Sequence, residues 1–441
     1  MRKILFTLLM VLSCQTFSQV QEFILNNGLK ILVKEDHRAP IAVSMIWYNV
    51  GSADEPGGIT GLSHAMEHMM FKGTEKFPLG VFSKTIAEIG AQANAFTSND
   101  YTAFFEKTDA SKLATSFELE ADRMNHLLLD TNEFAKEIKV IQEERRLRTD
   151  DNPQALAFER FLATAHLSAP YHHPVIGWMS DLRQMNVEDL RAWYKKYYAP
   201  NNATLVVVGD VNPEQVRTLA EQYFGALPKQ PIPERKLKKE PPELGLKIVH
   251  IQTTAAKLPL LMMGYSVPSV NTAKKVYEPY ALEIITGILN AGESARFSKN
   301  LVRIKHIAND ANSYYNPYTR YQTQFIVYGS PNQNHTIGDL QSGLLTELDD
   351  LKKNLVSETE LQRIKNQIIA QKTFEKDSIY GQASELGLLE TIGIGWKKSE
   401  EYTQAINAIT PQQIQQTAQR YFQEKNMTTA ILEPQTQKVA P

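Results

Sequence analysis

The sequence has almost no cysteine: Cys14 is the single one in 441 residues. A chain this poor in thiols is no disulfide framework, and a metal held by it would rest on histidine and carboxylate rather than thiolate. It also lacks an excess of either charge, with 47 Lys and Arg against 49 Asp and Glu. No basic stretch is dense enough to suggest nucleic acid, so no such partner is expected. Long apolar runs are missing too. The run over 4–12 is too short to span a bilayer, and no later run is long and apolar enough, so no membrane span is expected.

That early run has the form of an export signal. Arg2 and Lys3 precede it, and Thr16-Phe17-Ser18 places small residues ahead of Gln19. Residues 1–18 therefore read as a signal peptide that takes Cys14 with it, and the expected location is exported, most simply periplasmic. The competing reading makes Val11-Leu12-Ser13-Cys14 a lipoprotein site with Cys14 acylated. The rest has the make-up of a soluble globular protein, 42% hydrophobic and 22% charged. It is too long for one ordinary core, so two domains are expected.

What is present is concentrated in Thr60-Gly-Leu-Ser-His64-Ala-Met-Glu67-His68-Met-Met-Phe71-Lys-Gly73. On a helix, His64 and His68 lie one turn apart with Glu67 beside them, while Leu62, Ala65, Met66, Met69 and Met70 take the other side. Neutral imidazoles at that spacing can share one metal ion, and zinc suits them. A catalytic zinc keeps three protein ligands and leaves a fourth position for water, from which Glu67 could take a proton. The plainer alternative is a pair of satisfied core histidines.

The third ligand must come from elsewhere, and the segment 133–147 offers the candidates. Glu137 and Glu144 are seven residues apart and share a helical face, about 10 Å apart along the axis. One could reach the ion while the other supports the histidines from behind. The same pair also fits a solvated face with Arg145, Arg146 and Arg148, and periodicity leaves the choice open.

Along the chain, strands are expected over 23–34, broken by Asn26-Asn27-Gly28, and over 41–50. Gly73 is expected to close the histidine helix. Helices are expected over 79–89, 111–129, 133–147 and 186–198, a hairpin over 92–106 and a buried strand over 203–208. The Pro- and Lys-rich stretch 228–243 reads as a linker between an N-terminal domain (20–227) and a C-terminal one (244–435). The two are related. Asn186, Tyr197, Asn202 and Thr204 match Thr410, Tyr421, Asn426 and Thr428, each 224 residues on, and Gly28-Leu-Lys-Ile recurs at Gly245-Leu-Lys-Ile. The fold class expected is α+β: two homologous domains, each a mainly antiparallel sheet packed with helices. The second copy has no metal motif. Its counterpart of the histidine helix, beginning at Glu278, offers no histidine.

Together these motifs resemble the inverzincin metallopeptidases, the family of insulinase, pitrilysin and mitochondrial processing peptidase. The run from Gly51 through His64, Glu67 and His68 to Thr74 is similar in order and spacing, as are Asn94-Ala-Phe-Thr-Ser98 and the pair Glu137 and Glu144. The resemblance is strong over most of 20–225 and weaker beyond, and is nearest to short bacterial members that pair two chains. It implies a zinc endopeptidase acting on extended peptides, with His64, His68 and Glu144 as ligands to one Zn²⁺ and Glu67 as general base. Glu137 becomes a supporting acid, and Asn94 and Ala95 a strand edge that takes up substrate. It also implies an Arg and a Tyr seven residues apart in the C-terminal half. Arg303 is present, but Asp310 stands where the Tyr should be, with Tyr314 and Tyr315 out of step. The implied partner is a homologous subunit that supplies the Arg and Tyr, or else a second copy of this chain. Other readings are a non-catalytic scaffold subunit of such a complex and an unrelated fold with structural zinc.

Overall fold

The structure is a computed structural model that describes residues 19–236, 238–242 and 244–435. The signal-like segment, including Cys14, lies outside the described residues. Six strands form the first sheet: β1 (Gln21–Ile24), β2 (Lys30–Glu35), β3 (Ile41–Tyr48), β4 (Gln92–Thr97), β5 (Thr102–Asp109) and β6 (Ala203–Gly209). Their order is β1-β2-β6-β3-β5-β4, antiparallel except between β2 and β6. The run Ala-Thr-Leu-Val-Val-Val-Gly of β6 is buried at every position, as a strand covered on both faces must be.

Five strands form the second sheet: β7 (Lys247–Thr253), β8 (Leu260–Val267), β9 (Ala308–Tyr314), β10 (Thr323–Pro331) and β11 (Met427–Pro434). Their order, β7-β11-β8-β10-β9, repeats that of β2-β6-β3-β5-β4, with the parallel pair again at β7 and β11. The 224-residue offset is carried by the helices Val187–Tyr197 and Pro411–Tyr421, capped by the side chains of Asn186 and Thr410. Two homologous α+β domains account for the chain.

The helix Pro153–Ala165 packs on β7, β8 and β11 of the second sheet, while Ile379–Thr391 packs on β3 and β6 of the first. Each half thus lends a helix to the other, and a glycine admits an aromatic ring at both contacts. A Cβ on Gly264 would stand 2.3 Å from the Phe161 ring, and one on Gly387 would stand 2.1 Å from the Trp47 indole nitrogen. Residues 228–236 and 238–242 carry no helix or strand but are tied down. Arg235 Nε donates to Asp54 at 2.6 Å, and the Glu240 carboxylate accepts from the N–H groups of Leu167, Ser168 and Ala169.

Some boundaries differ from the sequence reading. The histidine helix spans Leu62–Met69 and stops before Gly73, which lies beyond its end at φ 101°. The segment expected as a helix over 133–147 runs Thr131–Arg145, opened by the Asp130 carboxylate, and widens into a π-helical turn over Arg146–Asp150. The helix expected over 111–129 spans Leu113–Asn125, because Thr74 and Leu127 form a bridge that straightens the chain.

Candidate metal centre

The histidine helix is built from its buried side. Leu62, Ala65, Met66 and Met69 are buried in the first domain's core, leaving His64, Glu67 and His68 on the outward face. Gly61, at φ 89°, starts the helix, and the Ile176 carbonyl would lie only 2.5 Å from any Cβ there, so glycine is required. The buried amides at the helix start, which have no intrahelical partner, are met by a carboxylate: Glu55 accepts from the N–H of Gly61 at 2.7 Å and of Ser63 at 2.6 Å. Burial pushes the Glu55 carboxyl up to about 8, against the pull of those two donors.

The helix Thr131–Arg145 crosses beside it and delivers Glu144. Its Oε2 lies 3.7 Å from His64 Nε2 and 3.4 Å from His68 Nε2. One ligand atom from each of the three side chains falls within 4.8 Å of the others. Two ligands on a tetrahedral zinc stand about 3.4 Å apart at ordinary bond lengths, so the spacing and the two-nitrogen, one-oxygen donor set both fit that ion. Burial, with His68 and Arg148 nearby, depresses His64 to about 3, which keeps its imidazole in the neutral form that ligates metals.

A second ring of contacts orients these groups. His68 Nδ1 lies 2.9 Å from Glu137 Oε1, which places the ring proton there and turns the Nε2 lone pair toward Glu144. Lys72 holds the other oxygen of Glu137 at 2.5 Å. Although burial works against it, Lys72 and His68 keep the Glu137 carboxyl below its usual range. Arg148 takes Glu144 Oε1 at 2.9 Å. One residue after Glu144, Arg145 anchors the helix end through two bonds to Glu159 and one to the Gly177 carbonyl.

Glu67 stands beside the cluster but outside it. Thr97, the last residue of β4, donates its hydroxyl to Glu67 Oε2 at 2.5 Å. Burial raises the Glu67 carboxyl, and Thr97 and His68 oppose the rise. Asn94 and Ala95 lie on β4, the outermost strand of its sheet, where the Ala95 N–H is covered by the Asn94 side-chain oxygen at 2.9 Å. Arg303 is not gathered into this group. It donates to the Glu293 carbonyl in its own half, and the Glu293 carboxylate lies 3.8 Å away. Tyr315 is buried with its hydroxyl donating to the Pro268 carbonyl at 2.6 Å, while Tyr314 and Asp310 line a cavity of about 420 Å³ between the second sheet and the helix Pro153–Ala165.

Four supporting residues were not singled out by sequence reasoning: Thr97, Glu55, Lys72 and Arg148. Lys72 and Arg148 sit four residues after His68 and Glu144, a spacing that could have flagged them. Glu55 carries no local signal.

Residues 30–177 match the sequence family described as Insulinase (Peptidase family M16), and residues 184–368 match the Peptidase M16 inactive domain. The zinc protease PqqE of Helicobacter pylori is 30% identical over 416 residues, 93% of this chain and 92% of its own. An uncharacterized zinc protease, YmxG of Bacillus subtilis, is 24% identical over 94% of this chain and 98% of its own. Among solved structures, a protease from Helicobacter pylori superposes with a TM-score of 0.89 at 30% identity, over 95% of this chain and all of that one. The chain described here belongs to peptidase family M16.

Proposed function

We propose that this chain is a zinc-dependent endopeptidase in which His64, His68 and Glu144 hold the ion and Glu67 is the general base. The observation that carries the reading is the convergence of those three donors while Glu67 stays out of the ligand set, aimed by Thr97. Bound there, zinc would supply Lewis-acid polarisation of a peptide carbonyl and a water acidic enough to act at neutral pH. Glu67 would receive the proton of the attacking water on Oε1 and pass it to the leaving amine, with Oε2 fixed by Thr97. Glu137 would hold the His68 tautomer throughout.

The substrate is an extended peptide or unfolded segment added as a strand along β4. Its carbonyl would replace the Asn94 oxygen on the Ala95 N–H, and its scissile bond would be drawn toward Thr97 and Glu67. Asp310 in place of a Tyr, with Arg303 engaged by Glu293, supports a homologous partner subunit that completes the site. The basic-then-apolar start of the chain supports an exported protein, and among the described residues no helix is long and apolar enough to cross a membrane.

Glu67→Gln tests the reading. Zinc content should stay at wild-type level while peptide cleavage falls about 10²- to 10⁴-fold. A wild-type chain that binds no zinc, or a variant that still cleaves at full rate, would overturn it. Assay with and without a homologous partner separates the partner proposal, which fails if the chain alone is fully active.

A further inference from the structure

We infer that Arg320, a residue of the half that carries no metal ligands, is a positioning residue for Glu67. The inference rests on the peptidase reading above and adds to it a role for the second domain. Arg320 lies between β9 and β10. Its main-chain N–H donates to Asp100 Oδ2 at 2.9 Å. Its guanidinium donates to Asn49 Oδ1 at 2.7 Å and to the Asp100 carbonyl, and lies 3.4 Å from Asp54 Oδ2. One largely buried side chain therefore joins three segments of the other domain: the end of β3, the loop 51–55 and the turn 98–101.

Two of those segments, the loop and the turn, are the supports of Glu67. The loop and the turn are laced together, with the Ser52 N–H donating to the Ser98 carbonyl at 3.1 Å and the Ala53 N–H to the Asn99 carbonyl at 2.8 Å. No side chain fits between them at Gly51, where a Cβ would stand 2.5 Å from the carbonyls of Ser98 and Asn99. One residue past Asp54, Glu55 grips the first turn of the helix that carries Glu67. Three residues before Asp100, Thr97 holds the Glu67 carboxylate. Both paths end on the Arg320 guanidinium.

Neither acid is left bare without that side chain. Asp54 keeps Arg235, and Asp100 keeps the Tyr171 hydroxyl at 2.7 Å. Loss of the guanidinium should therefore loosen the register between helix and strand before it unfolds the domain. A displacement near 1 Å of a reacting group lowers turnover about 100-fold.

The test uses the full chain, with the partner subunit if the wild type requires one, and compares Arg320→Gln and Arg320→Lys with wild type. Four quantities are read: zinc per chain, kcat, KM on an extended peptide, and amide hydrogen exchange over 51–61 and 97–102. Arg320→Gln should keep its zinc and a KM within about twofold, lose about 10- to 100-fold in kcat, and exchange several-fold faster over 97–102. Arg320→Lys, which keeps a charge opposite Asp54 but not the two-armed grip, should fall between. Wild-type kcat in Arg320→Gln, unchanged exchange over 97–102, or zinc and activity lost in equal proportion would each overturn the inference. Should the Gln variant not fold, wild-type kcat and exchange in Arg320→Lys overturn it instead. A wild-type chain that cleaves nothing sinks the peptidase reading alone, and the exchange data then decide the coupling by themselves.

Discussion

The two halves share a sheet order and a helix offset yet differ at one helix. In the first, Leu62–Met69 buries one face and turns His64, Glu67 and His68 outward. In the second, the helix in the corresponding place, Glu278–Asn290, is buried at nine of its thirteen positions and is packed with Ile284, Ile285, Ile288 and Leu289. Its acids serve packing: Glu278 pairs with Arg420 and Tyr421, and Glu283 accepts the Tyr402 hydroxyl. One topology supports either a cluster of potential metal ligands or a second core, and the choice rests on whether the helix keeps a polar face toward its crossing partner.

The sharpest break of that comparison is Glu144→Ala. It should weaken zinc binding beyond the 10- to 100-fold expected for a supporting residue while leaving the melting temperature within a few degrees, as zinc titration and calorimetry would show. Gly387→Ala should do the reverse. A Cβ there collides with the fully buried Trp47 ring, an overpacking cost of about 3 kcal/mol or less partly offset by alanine's better helix propensity, so the melting temperature should drop by several degrees with zinc retained.

Glu278→Ala should cost about 1–3 kcal/mol by stranding the part-buried Tyr421 hydroxyl, read as a shifted urea midpoint, again without loss of zinc. The smallest effect concerns pH. Burial pushes the Glu283 carboxyl from its ordinary value of 4.5 up to about 7. Between those values the folded chain holds a proton that the unfolded chain has released, so stability should fall as pH rises through the window and level off above it. Glu283→Gln should flatten that slope in denaturation curves taken from pH 4 to 8.

Much of this was legible in the sequence because the signals are local. A period near 3.6 separates His64 and His68 from Leu62, Met66 and Met69, and a fixed offset exposes the duplication at Asn186 and Thr410. The seven-residue interval between Glu137 and Glu144 put both on one face but could not say which reaches the histidines. The structure gives Glu144 to the Nε2 atoms and Glu137 to Nδ1 of His68. Helix ends were less legible. The straightening at Leu127 depends on a bridge to Thr74, more than fifty residues away in sequence.

By itself the sequence determined the residue types of the site, the order of the elements and the repeat, because each is written in short-range spacing. Only the tertiary structure decided the exchange of helices between sheets, the pairing of Thr97 with Glu67 and of Glu55 with the helix start, and the reach of Arg320 across the domain boundary. Apart from the Glu55 contact, which spans six to eight residues, these join segments tens to hundreds of residues apart, and no local pattern fixes the distance between segments that meet only after both cores have packed.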